Sequence, residues 1–136
     1  MSDKKFKVQV VTPSGVVLDK EVEEIVAPGI MGEFGVLIGH TPMLTFIKPG
    51  VFSYLENDKF IKLAVGPGFC EVLKDSVSVL VSSAVKAEDI NLNDAKIELQ
   101  AVEQQLSQID AAADPDAFKA VSDKVKYAQV KVGLAS

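Results

Sequence analysis

The sequence predicts an α+β chain in two parts, a β-sandwich over residues 1–87 and an antiparallel two-helix hairpin over residues 88–136. Three observations carry this reading. Up to about residue 84, short alternating apolar runs are interrupted by turn residues roughly every eight to twelve positions, the spacing of an all-β sandwich or barrel. Beyond Ile90 the apolar residues fall three and four apart, as one face of a helix requires. Asp114-Pro115 divides the second region, a cap followed by proline at the first helical position.

Phe6-Lys7-Val8-Gln9-Val10-Val11 alternates as a half-buried strand does. Pro13-Ser14-Gly15 turns the chain, and Val16-Val17-Leu18 is placed to pair back. Glu21-Val22-Glu23-Glu24-Ile25-Val26-Ala27 reads as one further strand, ended by Pro28-Gly29. Next comes Gly32-Glu33-Phe34-Gly35-Val36-Leu37-Ile38-Gly39-His40-Thr41-Pro42-Met43, closed by Ile47-Lys48-Pro49-Gly50, with four glycines, two prolines and the only histidine. Glycine supplies positive φ or close backbone approach, and proline fixes φ and lacks a donor. A constrained loop is expected here. It is either a shaped contact surface or an ordinary tight connection, which composition alone favours.

Val51-Phe52-Ser53-Tyr54-Leu55 and Lys59-Phe60-Ile61-Lys62-Leu63-Ala64-Val65 flank Asn57-Asp58, a hairpin signature. Gly66-Pro67-Gly68 separates them from Phe69-Cys70-Glu71-Val72-Leu73. A turn at Lys74-Asp75 leads to a last long strand with Val77, Val79 and Val81 on one face. In the helical region, Leu92, Ala95, Leu99, Val102, Leu106 and Ile109 form one stripe and Phe118, Val121, Val125, Ala128 and Val132 a second. Asn91 is the expected N-cap of the first helix, with Asp94 completing a weak capping box. Each stripe residue contributes about 1.5–3 kcal/mol on burial, whereas ordering costs about 1–2 kcal/mol per residue. The hairpin is therefore expected to be marginal alone and to lean on the sandwich or a partner, as a switch element does.

Charge narrows the function classes. The net charge is −5 and all fourteen basic residues are lysine, which argues against nucleic-acid binding, where arginine forks dominate. Residues 88–110 carry −5 and residues 114–136 carry +1, with a basic C-terminal tip. Cys70 is alone, so no internal disulfide is available, and a small core residue is the expected role. No P-loop, metal-spaced cluster or base-paired nucleophile occurs, so no catalytic or metal residues are assigned. No run reaches membrane-spanning length and the first six residues hold no signal stretch, so a soluble or peripheral protein without membrane insertion is expected.

The order of parts, together with Gly32-Glu33-Phe34-Gly35-Val36, Gly39-His40-Thr41-Pro42 and Ile47-Lys48-Pro49-Gly50, resembles the epsilon-subunit family of bacterial F-type ATP synthases. Val65-Gly66-Pro67-Gly68-Phe69-Cys70-Glu71-Val72 and Ala84-Val85-Lys86-Ala87-Glu88-Asp89-Ile90 also sit where that family has its glycine-containing strand and its junction. The resemblance implies a ten-stranded sandwich bound to the gamma subunit and the ring of c subunits. It implies a non-catalytic central-stalk role in proton-driven ATP synthesis, peripheral to the cytoplasmic side of the bacterial inner membrane. Glu33, Phe34, Gly39, His40, Pro42 and Met43 are the implied rotor contacts. The helices are implied to extend toward the alpha/beta catalytic head and hinder ATP hydrolysis, with Lys119, Lys124, Lys126 and Lys131 near the head. Two departures stand out. Ile38 occupies a position where many members carry proline, and the ATP-binding pattern Ile-Asp-x-x-Arg-Ala is replaced by Ile90-Asn91-Leu92-Asn93-Asp94-Ala95. A carboxylate thus stands where a phosphate needs a cation, so ATP binding is expected to be weak or absent and no cofactor is assigned. The alternative class is a stand-alone β-sandwich module that binds a peptide or small ligand and carries a helical tail.

Overall fold

A computed structural model describes residues 4–136, so residues 1–3 of the predicted sandwich lie outside the described residues. The strands are β1 (Phe6–Thr12), β2 (Gly15–Val22), β3 (Glu24–Gly29), β4 (Gly32–Leu37) and β5 (Met43–Ile47). They continue as β6 (Gly50–Glu56), β7 (Lys59–Val65), β8 (Gly68–Val72), β9 (Ser76–Val81) and β10 (Ala84–Lys86). A single 3₁₀ turn (Ala87–Asp89) leads to α1 (Leu92–Ser107) and α2 (Pro115–Ala135). The hydrogen-bonded order is β10-β7-β6-β3-β5-β8-β9-β1-β2, with β4 on the far side of β3. All pairs are antiparallel except β1 with β9.

This ribbon folds into two layers because alternation gives each strand one apolar face. Phe6, Val8 and Val10 of β1 meet Phe52 and Tyr54 of β6, Leu63 and Val65 of β7, and Val77 and Val79 of β9 in one core. Strand β3 serves both layers: Glu24, Ile25 and Val26 pair with β6, whereas Gly29 pairs with Ile47 of β5. Across the other seam the Lys20 ammonium of β2 sits 3.1 Å from both Glu56 carboxylate oxygens of β6 and 5.7 Å from the Tyr54 ring centroid. The Glu56 hydrogen bond is the main cause that raises the Lys20 pKa. Gly68 allows β8 and β9 to close tightly, since a Cβ there would fall on the Leu80 carbonyl oxygen and 2.7 Å from Val81 Cα.

Two expectations are corrected. Residues 21–27 are not one strand: β2 ends at Val22, where it leaves β1, and β3 begins at Glu24 on new partners. Glu23 makes the bend, its N–H donating to the Leu55 carbonyl at 3.2 Å. Nor is the stretch from Gly32 a loop throughout, because residues 32–37 form β4 and pair along the whole of β3. Only residues 38–42 remain irregular. By contrast Asn57 and Asp58, with φ of 53° and 66°, make the expected tight hairpin turn.

The helices keep to their predicted faces. Asn91 Oδ1 accepts from the Asp94 N–H at 2.9 Å, and Asp114 Oδ1 accepts from Ala117 N–H at 3.2 Å. Ala95 of α1 and Val121, Val125 and Ala128 of α2 are buried, and none belongs to the sandwich core. Ile109, predicted on the first stripe, lies past the end of α1 but is half-buried. α2 packs on β6 and β7 and on the 3₁₀ turn. Ala64 of β7, outside the sandwich core, is fully buried there.

Candidate functional site

Three surfaces can do work. The first is the glycine-rich edge. Glu33 is exposed near the start of β4, and Phe34 is half-buried against the core. Gly39 takes a φ of +79°, which favours glycine, and its N–H donates to the Lys74 carbonyl at 3.3 Å. His40 Nδ1 lies 2.7 Å from the Thr41 carbonyl oxygen, while Pro42 is exposed and Met43 packs partly on the core. Gly39, His40 and Pro42 lie in the irregular segment between β4 and β5 and Met43 opens β5, whereas Glu33 and Phe34 sit at the β3–β4 turn end of β4.

A second surface was not anticipated from the sequence. Phe46 pairs with Phe69, Phe69 with Leu80, Leu80 with Val11 and Val11 with Val16. One apolar row thus crosses the outer face of β5, β8, β9, β1 and β2. Phe46, Phe69, Leu80 and Val16 are all exposed. Ile30 and Met31, also exposed, adjoin it, with the Ile30 N–H donating to the Phe46 carbonyl at 3.0 Å. Beside the row runs an open groove of about 410 Å³ lined by Val11, Pro13, Pro67, Phe69 and Leu80. Scattered exposed apolar residues are ordinary, but a contiguous set marks an interaction face. The local signal was there: Val79-Leu80-Val81 and Phe69-Cys70 break alternation and make both faces apolar.

Deep to this face, Cys70 is fully buried, and burial pushes its thiol up to about 12. That state is the protonated, unreactive one.

At the third surface, the base of the hairpin, Ile90, Asn91, Asp94 and Ala95 come together around a cavity of about 240 Å³ that Asp89, Glu98, Tyr127 and Lys131 complete. Asn91 is engaged in capping α1, and the ring of three carboxylates outweighs one ammonium. Lys131 is held 2.7 Å from Glu98 Oε2. Of the other tip lysines, Lys119 pairs with Asp123 at 2.8 Å, and Lys124 and Lys126 are exposed. Seven-residue spacing stacks Lys119 over Lys126 and Lys124 over Lys131, so the four occupy two faces of α2 rather than one. Tyr127 is half-buried. Burial raises its phenol pKa, the neighbouring Ser83 hydroxyl opposes this, and Glu98 adds to it.

Among the described residues no helix is long and apolar enough to cross a membrane. Residues 5–87 match the family model for the ATP synthase delta/epsilon chain β-sandwich domain. The ATP synthase epsilon chain of Geotalea daltonii is 40% identical over 131 residues, spanning 96% of this chain and 94% of that one. An ATP synthase epsilon chain 2 from Syntrophotalea carbinolica is 45% identical over 108 residues, spanning 79% and 78%. Among solved structures, a chain of the Euglena gracilis mitochondrial ATP synthase OSCP/F1/c-ring assembly superposes with a TM-score of 0.74 at 19% identity, covering 93% of this chain and 79% of that one. A chain of the Tetrahymena thermophila central stalk/c-ring assembly gives 0.67 at 14% identity, covering 95% and 97%. At these identities the two structures speak to the fold alone.

Proposed function

The chain belongs to the ATP synthase delta/epsilon family, and from that premise we propose that it is a non-catalytic rotor subunit of the central stalk. It joins the gamma subunit to the ring of c subunits at the cytoplasmic face of the bacterial inner membrane. The observation that carries this reading is the contiguous apolar row from Phe46 to Val16 on the outside of a rigid sandwich. A contiguous exposed apolar surface of that kind marks a face that another protein covers. Gamma is the assigned occupant. Residues 39–43 and Glu33 face the c ring, with His40 a contact group rather than a catalyst.

The hairpin regulates. It has its own buried seam and rests on the sandwich through one side of α2. It can therefore leave without exposing the core of the sandwich. In the extended state, Lys119, Lys124, Lys126 and Lys131 approach acidic groups of the alpha/beta head and slow ATP hydrolysis. ATP itself is not a ligand of the hairpin, because the cup at its base is acidic.

The test is removal of residues 88–136 and measurement of both assembly and ATP hydrolysis by the complex. The shortened chain is expected to co-purify with gamma and the complex to hydrolyse ATP faster. Unchanged hydrolysis refutes the regulatory role, and loss of gamma refutes the assignment of the grip to the sandwich.

A further inference from the structure

Glu98 on α1 and Lys131 on α2 are separated by 33 residues and joined at 2.7 Å. The Lys131 side chain is 16% exposed and that of Glu98 44%, so the pair is partly shielded from solvent. Lys131 also stands 5.1 Å from the centroid of the Tyr127 ring, one helical turn earlier on the same face. Tyr127 in turn shares a groove with Ser83, at the corner between β9 and β10. Contacts thus run from the sandwich through Tyr127 and Lys131 of α2 to Glu98 of α1, touching all three bodies that must separate when the hairpin opens.

We propose that Glu98, Lys131 and Tyr127 form an ionic bolt that closes the hairpin without any ligand and keeps Lys131 from other carboxylates while it is shut. Lys119 differs in this respect, since its partner Asp123 lies on the same helix and stays with it on opening. Lys131 gives up its partner only when α1 and α2 part. The acidic neighbours Asp89 and Asp94 line the same cavity, so salt, rather than a polyphosphate, is the agent that loosens the bolt. The availability of Lys131 to the catalytic head rests on the function proposed above, whereas closure by the bolt does not.

Hydrogen exchange of the full chain tests it. Glu98→Gln and Lys131→Met each remove one charge and are expected to speed exchange of α1 and α2 amides about fivefold, with sandwich amides unmoved. The exchanged pair, Glu98→Lys with Lys131→Glu, is expected to return protection to within about twofold of the native chain. At high salt the gap between native and single variants narrows. Native exchange rates in both single variants, or a double variant no better than either, overturn the bolt. A separate assay addresses the head contact. In the assembled complex Glu98→Gln is expected to deepen inhibition and Lys131→Met to relieve it. If exchange behaves as expected but hydrolysis follows neither variant, the bolt stands and the role of Lys131 at the head is refuted.

Discussion

Replacing Phe46 by threonine interrogates the apolar row where it is most exposed among its aromatic members. Both residues favour strands, so the backbone of β5 is undisturbed. Phe46 is 67% exposed in the free chain, and a phenylalanine buries roughly 150–250 Å² when covered. Covering the rest thus removes about 100–170 Å² from water. At about 25 cal/mol per Å², less the part that a threonine methyl retains, the variant loses about 2–3 kcal/mol of binding, or about 30- to 150-fold in Kd. The assay is calorimetric titration of the full chain into purified gamma subunit, beside a thermal melt of the chain alone. The melt is expected to move by no more than about 0.5 kcal/mol in stability, since little native packing is lost. Ile97→Thr on the exposed face of α1, itself 62% exposed, supplies the control and should leave Kd unchanged. An unchanged Kd for Phe46→Thr with a native melt refutes the row as the grip.

Three further outcomes are expected. ATP added to the full chain up to about 1 mM gives no saturable heat, and micromolar binding would overturn the reading of the acidic cup. Gly68→Ala drives a methyl into the β8–β9 contact; it is expected to cost about 3 kcal/mol and to lower Tm by 10 °C or more, and a melt within two or three degrees of native would refute the close approach. Cys70 gives a pH test. Its folded pKa of about 12 lies above the unfolded thiol value of about 8.5, so the unfolded chain releases its proton first. Its contribution is complete below about pH 8.5 and is lost as pH rises toward 12, at up to about 1.4 kcal/mol per unit. Cys70→Ala should therefore flatten urea-measured stability between pH 9 and 11 relative to the native chain, and parallel curves would contradict the burial effect.

Most of the architecture was legible because it is encoded locally. Val77, Val79 and Val81 point inward as their alternation demands, and Asn57-Asp58 turns the chain on its own chemistry. The stripes from Leu92 and from Phe118 are buried or half-buried as their spacing requires. What escaped was set by partners distant in sequence. Residues 32–37 look like a loop because Gly32 and Gly35 interrupt the pattern, but pairing with β3 makes them a strand. Single segments show only that β8 and β9 are apolar on both faces; register then aligns Val11, Phe46, Phe69 and Leu80 into one row. Likewise, the tip lysines read as one basic group until Glu98 claims Lys131.

Because β3 is hydrogen-bonded first to one layer and then to the other, a push delivered at the exposed Ile30–Met31 corner cannot shear the two sheets apart. Strain entering there is divided between β5 and β6, and on β6 it meets the Lys20–Glu56 stitch beside the first residues of β3. On the function proposed above, a part mounted on a turning axle needs that property: it must transmit torque as a solid wedge, twisting with its neighbours and not within itself.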